Sequence, residues 1–216
     1  MATLAGLLAV AVYSPLLALR TITIDGTARV SAADVHAAVD DQLGTPLALL
    51  DQKRITTELS AFPLIRSYVT EVVPPDTLVI HIVERQPVGQ LFTGGVYHLV
   101  DPAGIVLQES VDRIAGVPVI DLGGKDAKST AFEAVVHVLL ALPPGLLAQV
   151  DSVSAQTQDD VSLVLAGVGQ RVSWGSADDS AKKAVVLSRL IAITDPSLAG
   201  QFDVSAPGNA IFKPTS

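Results

Sequence analysis

Residues 74–88 read Pro-Pro-Asp-Thr-Leu-Val-Ile-His-Ile-Val-Glu-Arg-Gln-Pro-Val, and the middle of that stretch decides the fold of the first half of the chain. From Thr77 to Glu84, Leu78, Ile80 and Ile82 alternate with Val79, His81 and Val83. A period of two places the first set on one face of a β-strand and the second set on the other. Pro74-Pro75-Asp76 before it supplies a turn, and Pro87 after it ends the element. Upstream, Ser67 to Val73 is rich in β-formers and reads as a partner strand. Further back, Ile55, Leu59 and Phe62 share one helical face from about Asp51 to Pro63. Val35, Ala38, Val39 and Leu43 share another, opened by Ser31 and Asp34 at capping-box spacing and stopped at Gly44. Thr21-Ile22-Thr23-Ile24 alternates again before Asp25-Gly26. The order is strand, helix, helix, strand, strand, and two helices on one face of a three-stranded sheet make a stable two-layer unit.

Before this unit, Met1 to Leu19 carries no charge, and Arg20 is the first. A helix of roughly 17–25 apolar residues crosses a bilayer, so a membrane anchor is expected here. Pro15 is tolerated better in such a helix than in a soluble one. A cleaved signal peptide and a buried core helix are the alternatives. The first lacks a basic start and a small-x-small cleavage site around Ser14-Pro15-Leu16.

Downstream, Val96 to Val100 and Ile105 to Gln108 flank the turn Asp101-Pro102-Ala103-Gly104. Phe132, Val135, Val136, Leu139 and Leu140 give a helix that Pro143-Pro144-Gly145 ends. Strands are expected at Val150 to Ala155, Val161 to Leu165 and Gln170 to Trp174. A helix capped by Ser176, Asp178 and Asp179 follows, carrying Val186, Leu187, Leu190, Ile191 and Ile193. Phe202 to Ser205 and Ala210 to Phe212 then flank Ala206-Pro207-Gly208-Asn209 as a terminal hairpin. The class is α+β: an anchor over 1–19, a β-α-α-β-β unit over 20–88 and a mainly antiparallel β domain with helices over 89–216.

The chain has 216 residues, 49% of them hydrophobic and 17% charged, so it buries real cores. Aromatics are only 4%, which leaves core volume to aliphatic side chains. There is no cysteine, which removes disulfides, thiolate nucleophiles and cysteine metal sites. A net charge of −8 without any run of Lys or Arg disfavours nucleic acid and anionic membrane surfaces as partners. His36, His81, His98 and His137 are never near one another in sequence, and there is no HExxH, P-loop, GxGxxG or GxSxG. Of the paired carboxylates, Asp40-Asp41 and Asp178-Asp179 fall on helices, where adjacent residues do not share a face. Asp159-Asp160 falls in a turn, and Glu84-Arg85 is an ion-pair candidate at the end of its strand. No catalytic, cofactor or metal site is expected. What remains is binding surface. A strand at a chain end is often a sheet edge that another chain can extend, or it simply completes its own sheet.

The residues now carry a resemblance. Arg20-Thr21-Ile22-Thr23-Ile24-Asp25-Gly26, then Gly44-Thr45-Pro46-Leu47, come before Pro74 to Ile80 and Glu84-Arg85-Gln86-Pro87-Val88. Leu99-Val100-Asp101 with Gly104, and Phe202-Asp203-Val204 with Pro207, follow. In that order they resemble the bacterial cell-division family FtsQ, also called DivIB, over about Leu19 to Phe212. The resemblance implies a single-pass protein of the cytoplasmic membrane at the division septum, with an extracytoplasmic POTRA domain followed by a β domain. It implies no catalysis. It implies a divisome scaffold that binds the coiled-coil proteins FtsB and FtsL and links them to control of septal peptidoglycan synthesis. The family's FtsB contact runs along the last strands, which maps to Ser205, Ala206, Gly208, Ala210, Ile211 and Phe212. The family usually carries a polar, often basic, tail before the anchor, whereas this sequence opens directly on the apolar run, which leaves cytoplasmic contacts open. The rival readings are a secreted or envelope-associated enzyme with an unrecognised site, and a POTRA-bearing export chaperone. The first would show a pKa-shifted carboxylate pair in a deep pocket, and the second would show tandem POTRA units or a β-barrel.

Overall fold

The computed structural model of the chain describes residues 14–215. Two compact units appear, one ending at Arg85 and the next beginning at Gln86. In the first, β1 (Thr21–Asp25), α1 (Ala32–Val39), α2 (Gln52–Ser60), β2 (Ile65–Val73) and β3 (Thr77–Glu84) follow the expected order. The sheet order is β1-β3-β2, with β1 parallel and β2 antiparallel to the central β3. Leu78, Ile80 and Ile82 are buried beneath the helices with Val35, Val39, Ile55 and Leu59, as the alternation requires. The Ser31 hydroxyl accepts from the Asp34 amide at 3.2 Å, and Asp51 Oδ1 accepts from the Lys53 and Arg54 amides at 3.1 Å each. Both helix starts thus have side-chain caps.

Several details differ from the sequence reading. The first helix ends at Val39 and tightens into a 3-10 turn over Asp40–Gln42. Gly44 lies beyond it, donating its amide to the Leu19 carbonyl. Asp40 and Asp41 are therefore in that turn rather than on the helix. Glu84 does not pair with Arg85. Its carboxylate turns inward to the amides of Ala28, Arg29 and Val30, at 2.7 to 2.9 Å from Oε1, and its Oε2 lies 3.7 Å from the Arg29 guanidinium. Of the expected membrane anchor, residues 1–13 lie outside the described residues. Its last part is a 3-10 turn at Pro15–Leu17, and Leu19 is buried in the core of the first unit. No helix among the described residues is long and apolar enough to cross a membrane.

The second unit is built on a nine-stranded sheet, ordered β12-β11-β10-β9-β8-β7-β4-β5-β6. Its elements are β4 (Gly89–Thr93), β5 (Val96–Val100), β6 (Val106–Ser110), β7 (Val119–Asp121), α3 (Thr130–Ala141), α4 (Pro144–Leu147), β8 (Val150–Ser154), β9 (Val161–Leu165), β10 (Arg171–Gly175), α5 (Ser180–Ile193), β11 (Gly200–Asp203) and β12 (Ile211–Pro214). Phe132, Trp174 and Phe202 are its largest fully buried side chains. They supply much of the volume that the scarce aromatics contribute to this core.

The sheet is more mixed than expected. Five neighbour pairs are antiparallel, while β4–β7, β7–β8 and β10–β11 are parallel. A parallel pair needs a crossover connection, and α3 and α5 supply it between β7 and β8 and between β10 and β11. The α5 cap also differs. Asp179 is the N-cap, with φ +54° and no side-chain cap bond, and the Ser176 hydroxyl donates instead to Asp178 at 3.2 Å. Asp178 and Asp179 both precede the helix. The corner is tied by the buried Lys183, whose Nζ donates to the Trp174 and Ser176 carbonyls at 3.1 and 2.8 Å. Burial lowers its pKa against the opposing pull of Asp178 and Asp179.

Candidate functional site: the terminal sheet edge

Among the described residues, β12 is the outermost strand of the large sheet and pairs with β11 alone. Their register sets Phe212 opposite Phe202 and Lys213 opposite Gln201. Just beyond the strand, the Thr215 amide donates to the Ala199 carbonyl at 3.0 Å. Bonded and non-bonded pairs alternate along an antiparallel ladder. Counting back in twos, Lys213 and Ile211 point their amides and carbonyls inward at β11. Phe212 and Pro214 point theirs outward. Pro214 has no N–H, so the Phe212 amide and carbonyl and the Pro214 carbonyl form the open ladder of this edge.

The side chains alternate as well. The Phe212 ring packs on buried Phe202, centroids 4.7 Å apart and tilted 41°, while Ile211 is 46% exposed. Lys213 reaches Asp203 at 3.8 Å. Gly200 makes the close approach possible, because a Cβ there would lie 2.5 Å from Phe212 Cζ and 2.6 Å from the Lys213 carbonyl oxygen.

Of the six residues singled out in the sequence, only Ile211 and Phe212 lie on the last strand. The hairpin strands are shifted from their expected limits, and Ser205, Ala206, Gly208 and Ala210 fall in the connection between β11 and β12. Ser205 faces back into it, its hydroxyl and amide donating to Asp203 Oδ1 at 2.7 and 3.2 Å. Those bonds, the hydroxyl foremost, with Lys213 beside them, hold the Asp203 carboxyl below its ordinary range despite partial burial. The Ala206 carbonyl accepts from the Asn209 amide at 2.9 Å, closing the turn. Gly208 stands over open space, and Ala210 packs against the core. Sequence reasoning missed Lys213, Pro214 and Gly200. Lys and Pro together at a strand end are the signal it passed over, since both restrain edge pairing.

Elsewhere, a cleft of about 260 Å³ is lined by Glu133, His137, Asp159 and Asp178, among others. All four side chains are exposed. The buried carboxylates Glu84 and Asp101 hold backbone amides, Asp101 Oδ1 taking those of Ala103 and Ile105 at 2.9 and 2.8 Å. Among the described residues no group of three or more His, Asp or Glu side chains could hold a metal ion.

Comparison with known proteins follows the same lines. Residues 17–85 match the model of the POTRA domain, FtsQ-type. A "Cell division protein FtsQ" of Streptomyces collinus is 30% identical over 88% of this chain and 76% of its own length. The chain belongs to the FtsQ family of cell-division proteins. The FtsQ of Mycobacterium leprae is 32% identical over 93% of the chain, which spans 57% of that relative's length. For Mycobacteroides abscessus the identity is 28%, over 94% of the chain and 63% of the relative. The chain thus covers about three-fifths of these mycobacterial relatives. The solved major extracytoplasmic domain of the cell-division protein DivIB from Geobacillus stearothermophilus aligns with 52% of the chain and 99% of its own, at 18% identity and a TM-score of 0.37, a likeness too slight to weigh further.

Proposed function

We propose that this FtsQ-family chain is a non-enzymatic divisome scaffold that binds FtsB- and FtsL-type partners by strand addition at β12. In this reading the apolar start of the chain, ahead of the turn at Pro15–Leu17 and the buried Leu19, holds the protein in the cytoplasmic membrane as part of a single-pass anchor. The first unit, ending at Arg85 rather than at the expected residue 88, forms its POTRA domain, and the second, from Gln86, forms the β domain that meets the partner outside the membrane at the septum. Binding there links the partners to control of septal peptidoglycan synthesis. The observation that carries the reading is the outward ladder of Phe212 and Pro214 at the end of the nine-stranded sheet. Main-chain bonds to such an edge give affinity, and the side chains beside them give selectivity. Ile211 and Phe212 belong to the contact strand, whereas Ser205, Ala206, Gly208 and Ala210 act through the connection that sets its position.

Titration of the full chain with the extracytoplasmic segment of an FtsB-type protein tests this. Phe212→Ala and Phe212→Pro both lose the ring, and only proline also loses the outward amide. Phe212→Pro is expected to bind about tenfold more weakly than Phe212→Ala, the value of one net hydrogen bond. Circular dichroism checks that both remain folded. Equal binding by the two folded variants would remove the edge from the account.

A further inference from the structure

On the face of the first sheet turned away from α1 and α2, His81 stands between two carboxylates on different strands. Its Nδ1 lies 3.3 Å from Asp25 Oδ2 at the end of β1, and its Nε2 lies 3.1 Å from Glu71 Oε2 on β2. A neutral imidazole has one N–H and one lone pair, and an ionised carboxylate can only accept. Neutral His81 can therefore satisfy one of these contacts, and only the imidazolium satisfies both. Asp25 is also the exit from β1, its Oδ1 accepting from the Gly26 amide at 2.7 Å. Gly26, at φ +80°, leads the chain close under the Ile82 carbonyl and on to the Ala28–Val30 amides that Glu84 holds.

The surroundings of the ring are simple. By strand alternation the other residues on this face are Thr21 and Thr23 of β1, Thr77, Val79 and Val83 of β3, and Ser67, Val69 and Val73 of β2. None of them titrates near neutrality. Glu84 is turned to the opposite, buried face with Ile80 and Ile82. The charged groups in contact with His81 are thus Asp25 from β1 and Glu71 from β2, with the exposed Arg66, at the β2 bulge beside Ser67, as the other charged group on that strand's outward side. Their hydrogen bonds, that of Glu71 first, raise its proton affinity above the ordinary histidine value of 6.5.

We infer that His81 is a proton-operated clamp across the POTRA sheet: as an imidazolium it ties both edge strands to β3, and on losing its proton it releases one of them. The folded midpoint lies above the ordinary one. The clamp is therefore fully closed below about pH 6.5 and opens as the pH rises through the folded value. The released edge strand, β1 with the loop that follows it or β2, then exchanges its amides faster and offers its outer ladder more freely.

The test follows the His81 ring by NMR in the full chain, alongside amide hydrogen exchange of β1 and β2 corrected for intrinsic rates. His81 is expected to titrate above 6.5, and both Asp25→Asn and Glu71→Gln are expected to lower its midpoint. Protection of an edge strand, measured against α1 and α2, should fall through that same midpoint. The fall is at most about tenfold for each pH unit separating the folded and ordinary values, because opening one strand removes only one of the two carboxylate contacts. His81→Gln should flatten this dependence while leaving the fold intact. A midpoint at or below 6.5, one that neither carboxylate variant moves, or a pH dependence that survives in His81→Gln would overturn the clamp.

Discussion

Glu84 shows how one residue sets local structure. Burial by itself would raise its pKa, yet three backbone amides and the Arg29 guanidinium more than offset that and hold the carboxyl below its ordinary value. The amides belong to a segment with no partner strand of its own, so the carboxylate takes the place of a ladder for Ala28, Arg29 and Val30. Glu84→Gln keeps the shape but puts an N–H donor where an acceptor oxygen stood. The expected loss is about 1–3 kcal/mol in urea-denaturation stability at neutral pH. The sign with pH is fixed. A depressed folded value means the stabilisation is present above about pH 4.5 and is lost as the pH falls through the folded midpoint. The acid limb of the stability curve should therefore be shallower in Glu84→Gln than in the parent chain.

At the level of elements, β12 depends on what β11 leaves out. A methyl group at position 200 would collide with the Phe212 ring and with the Lys213 backbone, and backbone cannot swing aside as a side-chain tip can. Gly200→Ala is expected to cost about 1–3 kcal/mol by overpacking. Amide exchange at Ile211 and Lys213 should rise, while the first unit stays unchanged. The elements also show what is legible in the sequence. The alternation of Leu78, Ile80 and Ile82 announces β3, and the Ser31 and Asp51 caps announce both helices of the first unit. β4 and β7 give no such signal. β7 has only three residues, too few for a period, and β4 opens on Gly89 and on a fully buried Gln90. That glutamine reads as polar in sequence. In the fold it is satisfied by the Ile114 and Val117 carbonyls at 2.8 and 2.7 Å and by the Ile114 amide at 2.9 Å. Parallel pairing is hidden for a related reason: which strands meet across a helical crossover is set by tertiary packing, not by local pattern. The terminal hairpin is legible as an element but not in its register. Ser205 looks like the end of a strand, and its bonds to Asp203 instead begin the turn.

At the scale of the whole molecule, two units with separate cores divide the chain, and the large sheet ends in two edges, β6 and β12. Lys213 and Pro214 restrain β12 from indiscriminate pairing; because Ile211 and Lys213 face β11 and Pro214 has no N–H, Phe212 is the one residue of the strand able to both donate and accept outward. An edge so limited suits a short, specific partner segment better than an open-ended sheet. Its proposed role in division rests on that single exchange of main-chain bonds. Residue-resolved amide hydrogen exchange tests it most directly, with the full chain alone and then saturated with an FtsB-type extracytoplasmic segment. The Phe212 amide is expected to exchange rapidly in the free chain and to become protected in the complex, while Ile211 and Lys213 are protected in both. A Phe212 amide equally fast in the saturated complex, or already protected in the free chain, would contradict strand addition at β12.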